Sequence, residues 1–305
     1  MSKRIDFAKQ RRNEGRLLSK AVRELATSMI SAGHKQGIDL HAILDETSAR
    51  KEKEKQLLTE RLQESVVPLF INRAGRPDRI GSCVLVRLDR SFYAFTAAHV
   101  IEDTRGATLL APSEGKGGKL RPLPPCAVHL KFSAGGNALD LAVLVLPPHQ
   151  LGALEQHTFL TGEEIDNDDR PDDHRFDSFY FVLGYSASRT QVKVSERKRH
   201  IHQQSFRCST SPVDAAEYAQ EQISQRDHIL LDFDHKEIRV KGRRATPPKL
   251  QGVSGGGIFQ IRRETMRGPL VAIATRNRRA SRLIVGTRIK HFLAFVRELK
   301  AMSRP

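Results

Sequence analysis

From about residue 66 to residue 290 the chain consists of short apolar, β-branched or aromatic runs broken by Gly, Pro, Asp and Asn. No other feature restricts its fold as strongly. The runs are GSCVLVRL (81–88), FYAFTA (92–97), CAVHLKF (126–132), LAVLVL (141–146), SFYFVLGY (178–185), HILLDF (228–233), GIFQIR (257–262), PLVAIAT (269–275) and RLIVG (282–286). Many short strands at such intervals predict an all-β barrel or sandwich. The two ends read differently. Leu17, Leu18, Val22, Leu25, Ala26 and Met29 recur at helical spacing, no proline interrupts residues 1–64, and Leu40, Ile43, Leu44, Leu57, Leu58 and Leu62 continue the pattern over 39–64. Within that stretch RKEKEK (50–55) alternates charge, as a solvated helix face does. Residues 289–299 (IKHFLAFVREL) return to helical spacing.

At 305 residues, 39% of them hydrophobic, the chain can bury the core of one large domain or two smaller ones. No apolar run reaches the roughly 20 residues of a membrane span, and MSKRIDFAKQRR at the start has no apolar secretory core, so a soluble, cytoplasmic protein without membrane contact is expected. Cys83, Cys126 and Cys208 show neither CxxC nor Cys/His metal spacing, which predicts buried free thiols and implies no metal and no organic cofactor.

Charge is partitioned along the chain. Residues 236–290 hold 15 Lys and Arg against Glu237 and Glu264, a net +13 of the chain's +16, while 162–173 holds seven acids and only Arg170, a net −6. The acidic stretch, flanked by Pro147-Pro148 and Pro171, reads as a linker between two β halves. The basic stretch fits nucleic acid, through counterion release, or else the chain's own acidic segment or an acidic partner. Phe259 is its only aromatic residue and it carries no zinc-finger or RNA-binding signature, so stacking on bases is poorly supplied.

Three segments carry the candidate chemistry. In Gly252-Val-Ser-Gly-Gly-Gly257 the small residues allow a sharp turn beside the Ser254 hydroxyl, where two backbone N–H groups can converge on one oxygen. His99 follows the strand-like FYAFTAA and sits among small residues, and Asp140 opens LDLAVLVL at the edge of an apolar strand, where a charge needs a partner. Acyl transfer needs a nucleophile, a base to take its proton and an acid to orient the base. The order here is His, Asp, Ser, the order of chymotrypsin and not of subtilisin or the α/β-hydrolases.

At Thr96-Ala-Ala-His99, Leu139-Asp-Leu-Ala142 and Gly252-Val-Ser-Gly-Gly256 the sequence resembles the trypsin/chymotrypsin-like serine peptidases, specifically bacterial trypsin-like peptidase domains. Gly81-Ser82 resembles the family's strand start and Gly184-Tyr185 its second-barrel Gly-Tyr turn. The likeness spans about 66–300. It implies a mostly β fold, a chymotrypsin-like double antiparallel β-barrel with an α-helical N-terminal extension (1–64) and a C-terminal helix (about 289–300). In the peptidase domain (65–305), barrel one would cover about 66–150, the linker 150–175 and barrel two 176–288. The roles it implies are Ser254 as nucleophile, His99 as base and then acid, Asp140 as orienting carboxylate, and the N–H groups of Gly252 and Ser254 as oxyanion donors.

The substrate is then a protein or peptide, and the primary pocket would be walled by Gln251, Ile273, Ala274 and Thr275. Neither 248–253 nor 271–275 contains a carboxylate, so a preference for Lys or Arg is not expected, while Arg276, Arg278 and Arg279 suit acidic substrates. Two positions depart from the pattern. Val253 stands where secreted members have an aspartate that pairs with a new N-terminal amine, and Gly257 replaces a proline, loosening the backbone there. The alternative is a catalytically silent trypsin-like scaffold that binds protein or nucleic acid. In either case residues 1–64 are expected to dock a regulatory partner. With Val253 in place, activity should not require a new N-terminus; an inert intact chain that gains activity on cleavage near residue 66 would contradict this.

Overall fold

The structure, a computed structural model, describes residues 40–113, 117–123, 125–132, 138–166, 178–195, 198–233, 239–240, 243–244, 252–262, 267–278 and 280–302. The chain divides into two compact units, Met1–Leu57 and Leu58–Pro305. The described part of the first belongs to helix α1 (Leu40–Glu64), whose exposed Arg50 and Glu54 form an (i, i+4) ion pair at 3.9 Å, as a solvated face would. The helix expected over residues 1–39 lies outside the described residues. No described helix is long and apolar enough to cross a membrane.

In the second unit the strands are β1 (Val66–Arg73), β2 (Arg76–Leu88), β3 (Ser91–Thr96), β4 (Leu110–Pro112), β5 (Gly117–Gly118), β6 (Leu120–Pro122), β7 (Ala127–Phe132), β8 (Asp140–Leu146), β9 (Ser178–Ser195), β10 (Lys198–Thr210), β11 (His228–Asp232), β12 (Arg239–Val240), β13 (Arg243–Arg244), β14 (Gly257–Arg262), β15 (Leu270–Arg278) and β16 (Leu283–Arg288). Helices α2 (Ala98–Glu102), α3 (Ala215–Gln220) and α4 (Ile289–Met302) accompany them. One seven-stranded sheet runs β6-β4-β1-β2-β3-β8-β7 and the other β11-β16-β15-β14-β9-β10-β5, with antiparallel neighbours throughout. The fold is mostly β, as expected, and is built on two antiparallel sheets. The short β5 crosses over, leaving the first half of the unit to pair with Ile201 and His202 of β10.

The nine apolar runs all lie in strands, but seven strands had no run to announce them, β1 and β10 being the longest. β1 opens Val-Val-Pro-Leu-Phe-Ile, and its proline argues against a strand. Pro68 is tolerated because β4 reaches β1 only at Phe70, so no outer ladder bond is lost. β10 (KRHIHQQSFRCST) is mostly polar, and its conformation comes from pairing with β9 along nearly its whole length.

The main core joins the two sheets. Val84, Phe95 and Val143 from the first pack with Leu183, Phe259 and Ile273 from the second, and Leu62 and Phe292 close the cluster. Helix α4 buries Ile289, Phe292, Phe295 and Val296, a stripe at helical spacing, and the Phe292 ring lies 5.2 Å from that of Phe95. Separate clusters fill each sheet's own interior, one around Leu69, Val100 and Leu144, the other around Phe206, Val253 and Ile258.

Two expectations need correction. All three cysteines are free, but Cys126 is exposed because it precedes β7, the edge strand of its sheet; Cys83 is buried, which pushes its thiol up to about 12. Gly184-Tyr185 is not a turn but the middle of β9, opposite Phe206 and Ser205. The stretch expected as a linker carries ordered structure before residue 167: a short 3-10 helix at Pro148–Leu154, bridges Val86–Leu160 and Ile165–Leu270, and an ion pair at 2.9 Å between Asp166 and Arg262. That pair joins the acidic stretch to the basic one. Residues 167–177 lie outside the described residues. Phe292→Ala should lower the unfolding free energy by about 3–5 kcal/mol in urea titration, as expected for a fully buried ring at the meeting of two sheets and a helix.

Candidate active site

His99 and Asp140 are brought together by strand register. β3 and β8 pair with Thr96 opposite Ala142, so the start of β8 lies beside the end of β3. The chain then turns through the buried, small Ala97 and Ala98 into α2, which presents His99. Asp140, 4% exposed, grips this residue twice: Oδ1 accepts the His99 backbone N–H at 3.1 Å and Oδ2 lies 2.7 Å from Nδ1.

Burial alone would raise the Asp140 pKa. The hydrogen bonds and charge of His99, with Arg276 adding to them, outweigh it and hold the carboxyl below the ordinary range. An ionised carboxylate can only accept, so Nδ1 carries the proton and Nε2 is left as the basic nitrogen. The imidazole itself remains partly open to solvent.

Ser254 sits in a loop whose shape depends on two glycines with positive φ, Gly252 at 89° and Gly255 at 83°. Ser82, in β2 of the other sheet, ties this loop down. Its N–H donates to the Ser254 carbonyl at 2.8 Å, its hydroxyl donates to the Gly252 carbonyl at 2.9 Å and accepts the Tyr185 N–H at 3.0 Å, and its carbonyl accepts the Thr96 hydroxyl at 2.7 Å. The same oxygens fill the space beside Gly255, where a Cβ would fall 1.9 Å from the Ser82 carbonyl oxygen and 2.2 Å from Thr96 Oγ1. Gly81 bridges the two halves of the site: a Cβ there would lie 2.6 Å from Val100, the neighbour of His99, and 3.1 Å from the Ser254 carbonyl.

The loop's backbone donors divide into two pairs. Gly255 N–H donates to the Ala274 carbonyl at 2.7 Å and Gly256 N–H to the Val253 carbonyl at 2.9 Å. Among the described residues the N–H groups of Gly252 and Ser254 donate to nothing, which leaves both available to a ligand oxygen. Ser254 Oγ donates to the Thr275 carbonyl at 3.4 Å, and among the described residues no hydrogen bond joins it to His99.

Of the residues assigned to the pocket wall, Gln251 lies outside the described residues. Ile273 and Ala274 are buried on opposite faces of β15, Ile273 in the core between the sheets and Ala274 in the second sheet's own cluster, whereas Thr275 occupies an irregularity in the β15–β16 register and meets Ser254 through its carbonyl. Val253 packs into the second-sheet core, so this side chain fixes the loop by burial and not by an ion pair. Gly257 opens β14 between Leu183 and Ile273, held on both sides despite the absent proline.

Sequence reasoning missed the joining role of Ser82, which stands 170 residues from the carbonyl it holds. It also missed Arg79, a half-buried side chain whose Nε and Nη2 are closed to solvent and pack on Gly252. A Cβ on that glycine would lie 2.9 Å from the Tyr185 carbonyl oxygen, 3.0 Å from Arg79 Nη2 and 3.1 Å from Nε. The sequence marks Ser82 only as part of the Gly81-Ser82 strand start, and no local pattern marks Arg79.

Fold and site together define the class: a mostly β, two-sheet scaffold presenting a carboxylate-oriented histidine and a glycine-bracketed serine. No family model and no curated protein matches the chain. Among solved structures it is similar to the crystal structure of the scabies mite inactivated protease paralogue S-I1, at 16% identity and a TM-score of 0.49, covering 80% of this chain and 96% of that one.

The Asp140 shift has a signed consequence. A carboxyl whose folded pKa is depressed stabilises the fold fully above its unfolded value of about 4 and loses that contribution as pH falls through the folded value. In urea midpoints measured from about pH 6 down to pH 2, the gap between wild type and Asp140→Asn should narrow on acidification.

Proposed function

We propose that the protein is a serine endopeptidase that cleaves protein or peptide substrates through an acyl-enzyme on Ser254. The observation that carries this is the double grip of Asp140 on the His99 backbone and ring, which fixes one tautomer and one orientation of the base. The reaction begins when a side-chain rotation takes Ser254 Oγ from the Thr275 carbonyl to His99. Nε2 takes the hydroxyl proton as Oγ bonds to the scissile carbonyl carbon. Asp140 stabilises the imidazolium, and the carbonyl oxygen, now anionic, accepts the Gly252 and Ser254 N–H groups. Collapse breaks the C–N bond, with the proton passing from Nε2 to the leaving amine. Water, deprotonated by His99, then hydrolyses the ester.

Val253 supports activity in the intact chain, since the loop is held by its burial and by Ser82. Among the described residues the Gly252 and Ser254 amides donate to nothing, which suits a pair of oxyanion donors, each worth about 3 kcal/mol in the transition state. One observation favours the silent scaffold: the Ser254 hydroxyl is engaged with Thr275 and not with His99. Labelling with a fluorophosphonate probe separates the two readings. Wild type should label, Ser254→Ala should not, and Asp140→Asn should label on the order of 10⁴-fold more slowly. An unlabelled wild-type protein would favour the scaffold.

A further inference from the structure

The half-buried Arg79 has no part in the reaction as set out above. It reaches the serine loop through an irregularity in β2. Alternating strand residues point to opposite faces, so residues 79 and 82 would ordinarily face apart. The β1–β2 register jumps here, with Leu69 opposite Gly81 and Phe70 opposite Arg79, leaving Ile80 as an extra residue. The bulge brings Arg79 onto the same side as Ser82, and both side chains converge on Gly252: Ser82 Oγ on its carbonyl and the Arg79 guanidinium on its α-carbon.

Standard backbone lengths then put Nη2 within about 6 Å of the Gly252 amide nitrogen. Arg79 Nε and Nη2 are both buried from solvent, so their charge is weakly screened on the side facing the loop. Burial lowers the Arg79 pKa to about 10, with Tyr185 acting the other way, and the side chain is still charged at neutral pH.

We propose that Arg79 is a positioning residue for the oxyanion site, holding the Gly252 turn from beneath and adding a buried positive charge behind the amide that receives the anion. This rests on the peptidase reading of the same site. A cation so placed acts mainly when negative charge develops on the substrate oxygen, so its removal slows bond formation more than it weakens initial binding. Arg and Lys share the charge, and Met keeps most of the stem without it.

The test is the concentration dependence of fluorophosphonate labelling in wild type, Arg79→Met and Arg79→Lys, which yields a maximal rate and a half-saturating concentration. Thermal unfolding runs alongside, and Arg79→Gln replaces the Met variant should that one not fold. The neutral variant should lose roughly 10-fold or more in maximal rate with little change in half-saturation, and Lys should restore most of it. A neutral variant labelling at the wild-type rate, or a Lys variant as slow as the neutral one, would overturn the inference alone. A wild-type protein that takes up no probe would overturn the peptidase reading and this inference with it.

Discussion

The site depends on one serine that no candidate mechanism uses. Ser82 makes four hydrogen bonds, two of them to the serine loop, one to β9 and one to the strand that leads into His99. Every polar group it carries is spent, and the residue is fully buried. Removing the hydroxyl would leave the Tyr185 N–H and the Gly252 carbonyl without their partner in a water-free place, where each unpaired group costs about 1–3 kcal/mol. The loop can therefore keep two left-handed glycines in a fixed turn without an ion pair to hold it. Gly255 is required because the Ser82 and Thr96 oxygens already occupy the position of its side chain.

Electrostatics follow from the same geometry. A carboxylate as buried as Asp140 is stable only because His99 supplies two donors and Arg276 adds positive charge nearby. Val253 shows the opposite solution: where an acid would need a partner, an apolar side chain packs into the second-sheet core. The basic and acidic stretches of the sequence also meet in part inside the molecule, through Arg262 and Asp166. That pair is largely open on the arginine side, so it contributes to register more than to stability.

Much of the fold could be read along the chain because burial imposes local composition. Strands covered on both faces must be continuously apolar, and CVLV (83–86), LAVLVL (141–146) and LVAIA (270–274) are. Strands that owe their conformation to a neighbour carry no such mark, which is why β10 was invisible and β1, with Pro68 inside it, went unlisted. The mistaken Gly184-Tyr185 turn has the same origin. A glycine in sequence suggests a bend, but this one lies within a strand and leaves room for Val253, whose side chain a Cβ there would meet at 3.0 Å.

The sequence alone determined the mostly β class, the C-terminal helix and the candidate residues His99, Asp140 and Ser254, because apolar periodicity and small-residue turns are local properties. The tertiary structure alone decided that Asp140 grips His99 at two atoms, that Ser254 bonds to Thr275, that Ile273 belongs to the core, and that Ser82 and Arg79 converge on Gly252. These outcomes depend on strand register and on a one-residue bulge. Register is settled by the sum of pairings across the whole sheet, and a shift of a single residue reverses the face of every side chain that follows.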